Sequence, residues 1–259
     1  MDIHRVKKLL VYPLKSAKPI ELTHTKVEFN GFQNDRNYAI IDQNNKVLTA
    51  REYSKFLHLI IKVNQQMLHI TLDNAEITIN VDQFDKMLTE VHLFDDIVKV
   101  QLLKNTKINK LLSEYLNISC RLIKLDSSDT ITSKKAFNDI APIHLISEAS
   151  LNDLNNRIGT HLTAESFRPN LIVTGGQAYE EELWKTLKIG NIIFNVVSKT
   201  NRCSLSTIDP ITLKQRDNQE PLRTLATFKK EGKSVCFGIY LVPTNKGEIF
   251  MDAPIEIID

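Results

Sequence analysis

Short apolar runs recur along the first hundred residues, and turn residues separate them. Pairs such as Asn30-Gly31 and Asp73-Asn74 lie between runs that either alternate apolar with polar positions or stay apolar. Regular short runs with such turns are typical of strands in a small antiparallel barrel or sandwich. The predicted strands cover residues 6–12, 23–29, 38–42, 57–63, 68–72, 77–81 and 98–103.

The second half of the chain mixes strands with a few helices. A helical spacing of apolar residues predicts helices over 107–115 and, with Ser147 as N-cap, up to residue 157. Pro221 suits the first turn of a third helix that ends near residue 228. The polar, aperiodic residues 126–138 predict a long exposed loop. Further strands are predicted over residues 171–174, 191–198, 235–242 and 248–258.

Composition and charge narrow the class of protein. The 259 residues are 42% hydrophobic and 25% charged, which is ordinary for a globular chain. A formal net charge of +2 gives no electrostatic reason to expect a nucleic acid partner. The chain begins without an apolar targeting segment, and no run approaches about 20 apolar residues. A soluble, cytoplasmic protein without membrane contact is therefore predicted.

Cys203 is the residue with the most chemical information. It follows the strand predicted over 191–198, stands beside Arg202, and precedes hydroxyl residues and the turn signal Asp209-Pro210. A nearby cation and access to solvent or ligand are what a reactive thiolate needs. The alternative is a partly buried free cysteine, the common fate of this residue type.

Other catalytic and metal-binding patterns give no support to a competing site. Cys120 and Cys236 lie in apolar runs and are predicted to pack in the core, and His144 is predicted to be an interior histidine. No Gly-x-Ser-x-Gly elbow occurs, and Gly175-Gly176 lacks the further glycines of a nucleotide-binding loop. The three glutamates at 180–182 predict a solvated helix face and no metal site.

Several bases stand at strand ends or turns, where a ligand could reach them. They occur in Lys15-Ser16, Asp35-Arg36, Thr49-Ala50-Arg51 and Arg168-Pro169-Asn170. A residue before proline is held extended, so Arg168 is predicted to present its guanidinium fork to phosphate or carboxylate. A surface ion pair, worth at most ~1 kcal/mol, explains each base equally well on its own. Together they predict an anion site only if the fold brings them together.

The order of these motifs resembles the MOSC (molybdenum cofactor sulfurase C-terminal) family over nearly the whole chain. In the first half the resemblance is carried by residues 12–16, Gly31-Phe32, Asp35-Arg36 and 49–51. In the second half it is carried by residues 145–151, 167–170, Trp184, Ile189-Gly190, Arg202-Cys203, 207–210, 220–222 and 237–240. The chain is similar to the mitochondrial amidoxime-reducing component and its bacterial counterparts within this family.

The resemblance implies the fold and the domains. It implies an α+β, mostly β fold, in which an N-terminal β-barrel-like domain (1–125) packs with a MOSC β-barrel domain (126–259). It also implies an enzyme that binds molybdenum cofactor, with pyridoxal phosphate binding as a further property associated with the family. No cysteine cluster follows the second domain, so no iron–sulfur cluster is expected in this chain.

The resemblance also assigns roles to individual residues. Cys203 would be the catalytic thiolate ligand of molybdenum, which suits a soft metal site. Asn201 and Arg202 would supply hydrogen bonds near the sulfur. The positions that match those holding pterin and phosphate are Lys15, Ser16, Arg36, Arg168 and Asn170.

Three positions depart from the family pattern. Ile140-Ala141 lacks a hydroxyl that relatives offer to the cofactor, Leu213 replaces a glycine, and Met251-Asp252 replaces a Gly-Asp turn. These departures bear on the substrate and on detailed cofactor contacts more than on the cofactor class.

The implied reaction is a two-electron reduction of a small N-hydroxylated substrate, with electrons from a separate donor protein. The alternatives are a molybdenum-cofactor carrier or sulfur-transfer protein with a persulfide on Cys203, and a non-catalytic binding domain. Retained molybdenum together with reductase activity would favour the reductase. Labile sulfur on Cys203 without metal would favour the carrier or sulfur-transfer protein.

Overall fold

The computed structural model describes residues 3–73, 75–93, 96–126, 137 and 140–258, without the side chain of Asp96. Its helices are α1 (Thr106–Leu116), α2 (Glu148–Ile158) and α3 (Leu222–Leu225). Its strands are β1 (Arg5–Val11), β2 (Ile20–Leu22), β3 (His24–Glu28), β4 (Gly31–Phe32), β5 (Tyr38–Ile41), β6 (Ile60–Asn64), β7 (Met67–Leu72), β8 (Ala75–Asn80), β9 (Phe84–Leu93), β10 (Asp96–Leu103), β11 (Arg121–Leu125), β12 (Ile143–Ser147), β13 (Leu171–Thr174), β14 (Thr186–Ile189), β15 (Ile192–Asn201), β16 (Lys230–Glu231), β17 (Ser234–Pro243), β18 (Gly247–Phe250) and β19 (Ile255–Ile257).

Two compact units divide the chain. The first unit contains Met1–Val11, Glu21–Gln33 and Ile140–Asp259, and the second contains Tyr12–Ile20 and Asn34–Asp139. The units follow packing, not chain order, since β1 belongs with the C-terminal half. The predicted boundary between residues 125 and 126 stays a prediction.

One large sheet organises the first unit. Its strand order is β19-β14-β15-β17-β12-β13-β1-β2, with β16 added beside β17. The central strands β12 and β13 run parallel, with Leu145 opposite Leu171, while β13 with β1 and β12 with β17 are antiparallel. Every residue of β12 is buried, which explains why its sequence shows no alternation of apolar and polar positions. The core of this unit includes Leu9, Leu145, Leu171, Phe194, Ile239 and Leu241.

In its described residues, the second unit contains two antiparallel sheets and the helix α1. Strands β5, β11, β10 and β9 form one sheet in that order, and β6, β7 and β8 form the other. Asn105 caps α1, because its Oδ1 accepts the N–H groups of Lys107 and Ile108 at 3.1 and 3.2 Å. The helix ends at Asn117, which takes a left-handed φ of 56°.

The strand-rich prediction is confirmed, and the fold is α+β and mostly β. The runs predicted over 6–12, 68–72 and 171–174 correspond to β1, β7 and β13. Sequence periodicity misses β9, because its middle residues are exposed and Met87-Leu88 breaks the alternation. It also misses β12, which has no alternation, and the third helix ends at Leu225 instead of near residue 228. Of the loop predicted over 126–138, only Asp126 and Phe137 are among the described residues, so the prediction lies largely outside them.

The prediction of a solvated face at 180–182 is wrong. These residues begin a 3₁₀ turn (Glu180–Leu183), and Glu181 is only 1% exposed. The Ser150 hydroxyl lies 2.7 Å from Oε1 and 2.9 Å from Oε2 of Glu181. Glu182 pairs with Lys199 at 3.3 Å and with Lys229 at 3.0 Å. Glu181 and Glu182 therefore belong to buried polar networks, while Glu180 is partly exposed.

Glu181 should give the protein a measurable pH dependence. Burial raises the pKa of Glu181 above its ordinary value, and the Ser150 hydroxyl opposes this only in part. The neutral carboxyl is thus favoured in the folded state. Its stabilising effect is complete below the pKa of the unfolded chain and is lost as pH rises through the raised pKa.

We expect Glu181→Gln to remove this dependence while keeping the side chain's size. The difference between the free energies of unfolding of wild type and variant, measured in urea titrations, should fall as the pH rises from 4 to 8. Glu248→Gln, at an exposed position of β18, serves as the control and should show no such trend. A difference that stays constant with pH for Glu181→Gln would show that this carboxyl ionises as freely as one in solvent.

Candidate functional site

Cys203 is exposed at the end of the long strand β15. Its backbone is extended, with φ −118° and ψ 176°, and it precedes a 3₁₀ turn formed by Ser204–Thr207. The carbonyl of Cys203 accepts the N–H of Ser206 at 3.1 Å and its hydroxyl at 2.9 Å. The main chain around the cysteine is therefore bound into the turn while the residue itself reaches solvent, as the sequence predicted.

Arg202 anchors this segment from the N-terminal side. Its N–H donates to the carbonyl of Val235 at 2.8 Å, which continues the pairing of β15 with β17. Its Nη2 donates to the carbonyl of Phe167 at 2.9 Å, and the guanidinium carbon lies 5.3 Å from the Phe167 ring centroid. Asn201 is exposed, and its Oδ1 accepts from the Cys236 thiol at 3.3 Å. The two residues before the cysteine, Asn201 and Arg202, thus connect its segment to β17 and to Phe167.

A buried imidazole lies beside Arg202. His144 is 4% exposed, and its Nε2 is 3.5 Å from Nη1 of Arg202. Because an arginine only donates, Nε2 accepts and the ring proton is assigned to Nδ1. Gly238 makes room for the ring, since a Cβ there would lie 2.7 Å from Nε2. His144 is an interior histidine, as the sequence predicted.

Asn170 binds main chain on both sides of its own strand. Its N–H donates to the carbonyl of His144 at 2.7 Å, and its carbonyl accepts the N–H of Leu10 at 2.8 Å. Its side chain repeats the pattern, with Nδ2 donating to Leu10 O at 3.1 Å and Oδ1 accepting His144 N–H at 3.2 Å. Asn170 is 1% exposed, so it joins β1 and β12 at the start of β13 within the interior.

The backbone of Arg168 differs from the sequence expectation. An extended arginine was predicted before Pro169, but Arg168 has a φ of +57°. Arg168 follows the 3₁₀ turn Ala164–Ser166 and the buried Phe167, which hold the chain on its N-terminal side. A left-handed conformation costs a non-glycine residue roughly 1–2 kcal/mol. The surrounding packing therefore determines the conformation of Arg168, against its local preference.

Lys15, Ser16 and Arg36 lie in the second unit, on two paired segments. The N–H of Lys15 donates to the carbonyl of Tyr38 at 2.8 Å, and its Nζ donates to the carbonyl of Phe137 at 2.9 Å. Lys15 and Ser16 are each 6% exposed, and Ser16 has a φ of +71°. A buried ammonium group bound to carbonyl oxygen is thus fixed in place at the exit of this segment.

Arg36 is held by the segment that carries Lys15. Its N–H donates to the carbonyl of Tyr12 at 2.8 Å, and its guanidinium carbon lies 4.4 Å from the Tyr12 ring centroid. It also forms an ion pair with the buried carboxylate of Asp35, whose Oδ1 accepts the Tyr12 N–H at 2.8 Å. Arg36 has a φ of +51°, so three of the predicted cofactor residues share the left-handed region.

The structure thus brings the candidate residues together in two sets. Arg168, Asn170, Asn201, Arg202 and Cys203 lie in the first unit, and the other three lie in the second. The remaining cysteines pack as predicted, with Cys120 4% and Cys236 3% exposed. Burial raises the pKa of both thiols, which disfavours their thiolates.

Two further findings concern metals and membranes. Among the described residues, no three His, Cys, Asp or Glu side chains are gathered in a way that could hold a metal ion. Within the same part of the chain, none of the helices combines the length and apolar character needed to cross a membrane.

Sequence reasoning missed Arg216, which returns beside the cysteine turn. A bridge between Ile208 and Gln215 closes the loop that follows Asp209-Pro210. This return brings the guanidinium of Arg216 to the carbonyls of Ser206 and Ile208, each at 3.1 Å. The turn signal at Asp209-Pro210 could have indicated this, because a turn there predicts that the following residues run back alongside the cysteine turn.

Comparison with known proteins gives the family. Residues 132–256 match the MOSC domain, and residues 3–119 match the MOSC N-terminal beta barrel domain. The chain belongs to the MOSC family, and the sequence resemblance is confirmed.

Its relatives include amidoxime-reducing components and molybdenum cofactor sulfurases. The chain is 29% identical to mitochondrial amidoxime reducing component 2 of Rattus norvegicus, over 98% of this chain and 83% of that protein. It is 25% identical to mitochondrial amidoxime-reducing component 1 of Homo sapiens, over 99% and 84%. It is also 26% identical to molybdenum cofactor sulfurase of Oryza sativa subsp. japonica, over 93% of this chain but 32% of that protein.

Removing the Asn170 side chain should destabilise the protein strongly. Asn170→Ala leaves the carbonyl of Leu10 and the N–H of His144 without their side-chain partners in a dry interior. An unsatisfied buried polar group costs about 1–3 kcal/mol, so we expect a loss of about 3 kcal/mol in urea unfolding.

Asn245→Ala is the matched control. The Asn245 amide also binds main chain, donating to Asn191 O at 2.9 Å and accepting Ile193 N–H at 3.0 Å, but at an exposed site. Water can replace its bonds, so a loss below about 1 kcal/mol is expected. Equal losses in the two variants would mean that burial of the Asn170 contacts is not what makes them important.

Proposed function

We propose that this protein is a molybdenum-cofactor-dependent oxidoreductase that reduces small N-hydroxylated compounds, such as amidoximes and hydroxylamines. The observation that carries the proposal is an exposed Cys203 on a segment bound at Arg202 to the main chain of Phe167. The similarity to the rat amidoxime reducing component over 98% of this chain supports the reaction type. The reaction replaces N–OH by N–H, consumes two electrons and two protons, and releases water.

The residues present fit this cofactor. A soft, accessible thiol at Cys203 suits a molybdenum ligand. Arginine and lysine side chains suit an anionic phosphate, and a hydroxyl and an amide suit the polar pterin. In this proposal the cofactor is held by Lys15, Ser16, Arg36 and Arg168. Asn170, whose amide is bonded to main chain in the interior, serves the site by fixing the segment that carries Arg168, and Asn201 and Arg202 act beside the sulfur.

The cofactor would supply the two-electron chemistry, and the protein would position it. Arg202 fixes the strand end that carries Cys203, through the carbonyls of Val235 and Phe167. Asn170 fixes the segment that carries Arg168. A small-molecule substrate, a separate electron-donor protein and a cytoplasmic location complete the proposal.

A second candidate is a carrier or sulfur-transfer protein with a persulfide on Cys203. The similarity to molybdenum cofactor sulfurase of rice favours it, although this chain spans about a third of that protein. An exposed cysteine beside an arginine suits a persulfide as well as a metal ligand.

The protein should be purified from a host that makes molybdenum cofactor, and its molybdenum and labile sulfur should be measured. We expect about one molybdenum per chain, and amidoxime reduction with reduced viologen but not with NADH alone. Labile sulfur on Cys203 without molybdenum would favour the sulfur-transfer candidate instead. Turnover with NADH alone would contradict the need for a separate donor.

Cys203→Ser should fold normally yet lose most of the activity. A hydroxyl replaces a soft thiolate with a hard ligand, so an altered visible spectrum and a rate lower by at least on the order of a hundredfold are expected. Cys120→Ala and Cys236→Ala should each cost about 1 kcal/mol of stability and keep the activity. Wild-type spectrum and activity in Cys203→Ser would exclude this residue as the ligand.

Arg168→Ala should lower cofactor occupancy far more than thermal stability. A hydrogen bond from a charged group contributes about 1.5–3 kcal/mol, so occupancy at limiting cofactor should fall roughly tenfold. Stability should change little, because alanine and arginine bear the same left-handed strain at φ +57°. The measurement is molybdenum and pterin content beside the melting temperature.

Two companion variants separate binding from stability. Arg168→Gly relieves the backbone strain and should be at least as stable as wild type with equally low occupancy. Arg157→Ala removes an exposed arginine of α2 and should keep full occupancy. Unchanged occupancy with lower stability in Arg168→Ala would make this residue a structural ion pair.

A further inference from the structure

The turn that follows Cys203 is short, and its last carbonyl groups need partners from outside it. Ser204–Thr207 is a single 3₁₀ turn, which Ser206 N–H closes on Cys203 O at 3.1 Å and Ile208 N–H on Leu205 O at 3.1 Å. Short 3₁₀ segments have poor hydrogen-bond geometry, and their terminal carbonyls need partners from outside. An exposed cysteine next to such a turn stays in one place only if other groups fix the turn.

Arg216 provides these outside partners. Its N–H donates to Thr207 O at 2.7 Å, and its Nη1 lies 3.1 Å from the carbonyls of both Ser206 and Ile208. Its Nη2 lies 3.3 Å from Oδ2 of Asp209, and the side chain is only 14% exposed. A cation at the carbonyl end of a helical turn is electrostatically favourable, more so out of water.

The same guanidinium joins the cysteine turn to the segment that carries Arg168. Nη2 of Arg216 donates to the Ser166 hydroxyl at 3.0 Å. Ser166 is 4% exposed and ends the 3₁₀ turn that leads through Phe167 to Arg168. Arg202 reaches the same segment from the other side of Cys203, through the carbonyl of Phe167. Cys203 therefore lies between two arginine contacts with one short stretch of chain.

We propose that Arg216 is the positioning residue of Cys203. By holding Ser204–Thr207 against Ser166, it sets where the thiol lies relative to Arg168. The inference rests on the proposed function for its purpose, but the contacts that it describes are made by the protein's own residues. Arg216 touches no reacting group and acts only through the main chain of the turn.

A nitroxide on Cys203 tests the proposal without any cofactor. In a Cys120→Ala/Cys236→Ala background, a methanethiosulfonate spin label attaches to Cys203 alone, and its EPR line shape reports the mobility of the turn. Arg216→Lys keeps the charge but loses the planar fork that reaches four acceptors. We expect the mobile component of the spectrum to increase roughly threefold or more.

Two other variants set the scale of this effect. Ser166→Ala removes one partner and leaves the arginine, so it should produce a smaller increase, and it decides the question if Arg216→Lys does not fold. Arg157→Lys changes an exposed arginine whose described contacts are Asp153 and the Phe228 ring, and it should leave the line shape unchanged. An unchanged line shape in Arg216→Lys or Ser166→Ala, with lower melting temperature only, would overturn the proposal.

Protein from a cofactor-producing host gives a second readout. Arg216→Lys should lower molybdenum content roughly threefold or more, and Arg157→Lys should not change it. Wild-type protein without molybdenum would contradict the proposed function and leave the EPR result to decide on Arg216. Molybdenum in wild type with an unaltered line shape in the Arg216 and Ser166 variants would contradict the positioning role alone.

Discussion

The arrangement of the first unit depends on the four hydrogen bonds of Asn170. A single buried asparagine binds the main chain of Leu10 on one side and of His144 on the other, with both its backbone and its amide. In a dry interior these bonds fix the start of β13 relative to β1 and β12, since breaking them leaves unsatisfied groups. Phe167 and Arg168, which precede Pro169 and Asn170, therefore lead into β13 from a defined place.

The segment that carries Cys203 is held against the residues that precede β13. Phe167 offers its carbonyl to Arg202, and Ser166 offers its hydroxyl to Arg216. Both guanidinium groups act as rigid forks between two irregular stretches of chain, a role that lysine, with one flexible ammonium, cannot fill. Cys203 remains exposed because the chain on either side of it is bound. A ligand-binding thiol needs this combination of access and fixed position.

Backbone strain coincides with the proposed cofactor residues. Ser16, Arg36 and Arg168 all have φ values between 51° and 71°. Such conformations cost on the order of 1–3 kcal/mol each and persist only where the surroundings impose them. Here the surroundings are hydrogen bonds to neighbouring main chain, as with the Arg36 N–H on Tyr12 O. All three residues lie outside the strands, in turns or irregular stretches where the chain can take this conformation.

The sequence by itself determined the strand-rich architecture, the core cysteines and the exposed Cys203, because apolar periodicity and turn residues act locally. It could not predict the burial of Glu181, the left-handed Arg168 or the return of Arg216 to the cysteine turn. Each of these depends on groups distant in the chain, such as Ser150 for Glu181. A local pattern shows which side chains prefer the interior. Only tertiary packing decides which polar groups meet there, because a buried polar group is stable only beside a partner that the fold supplies.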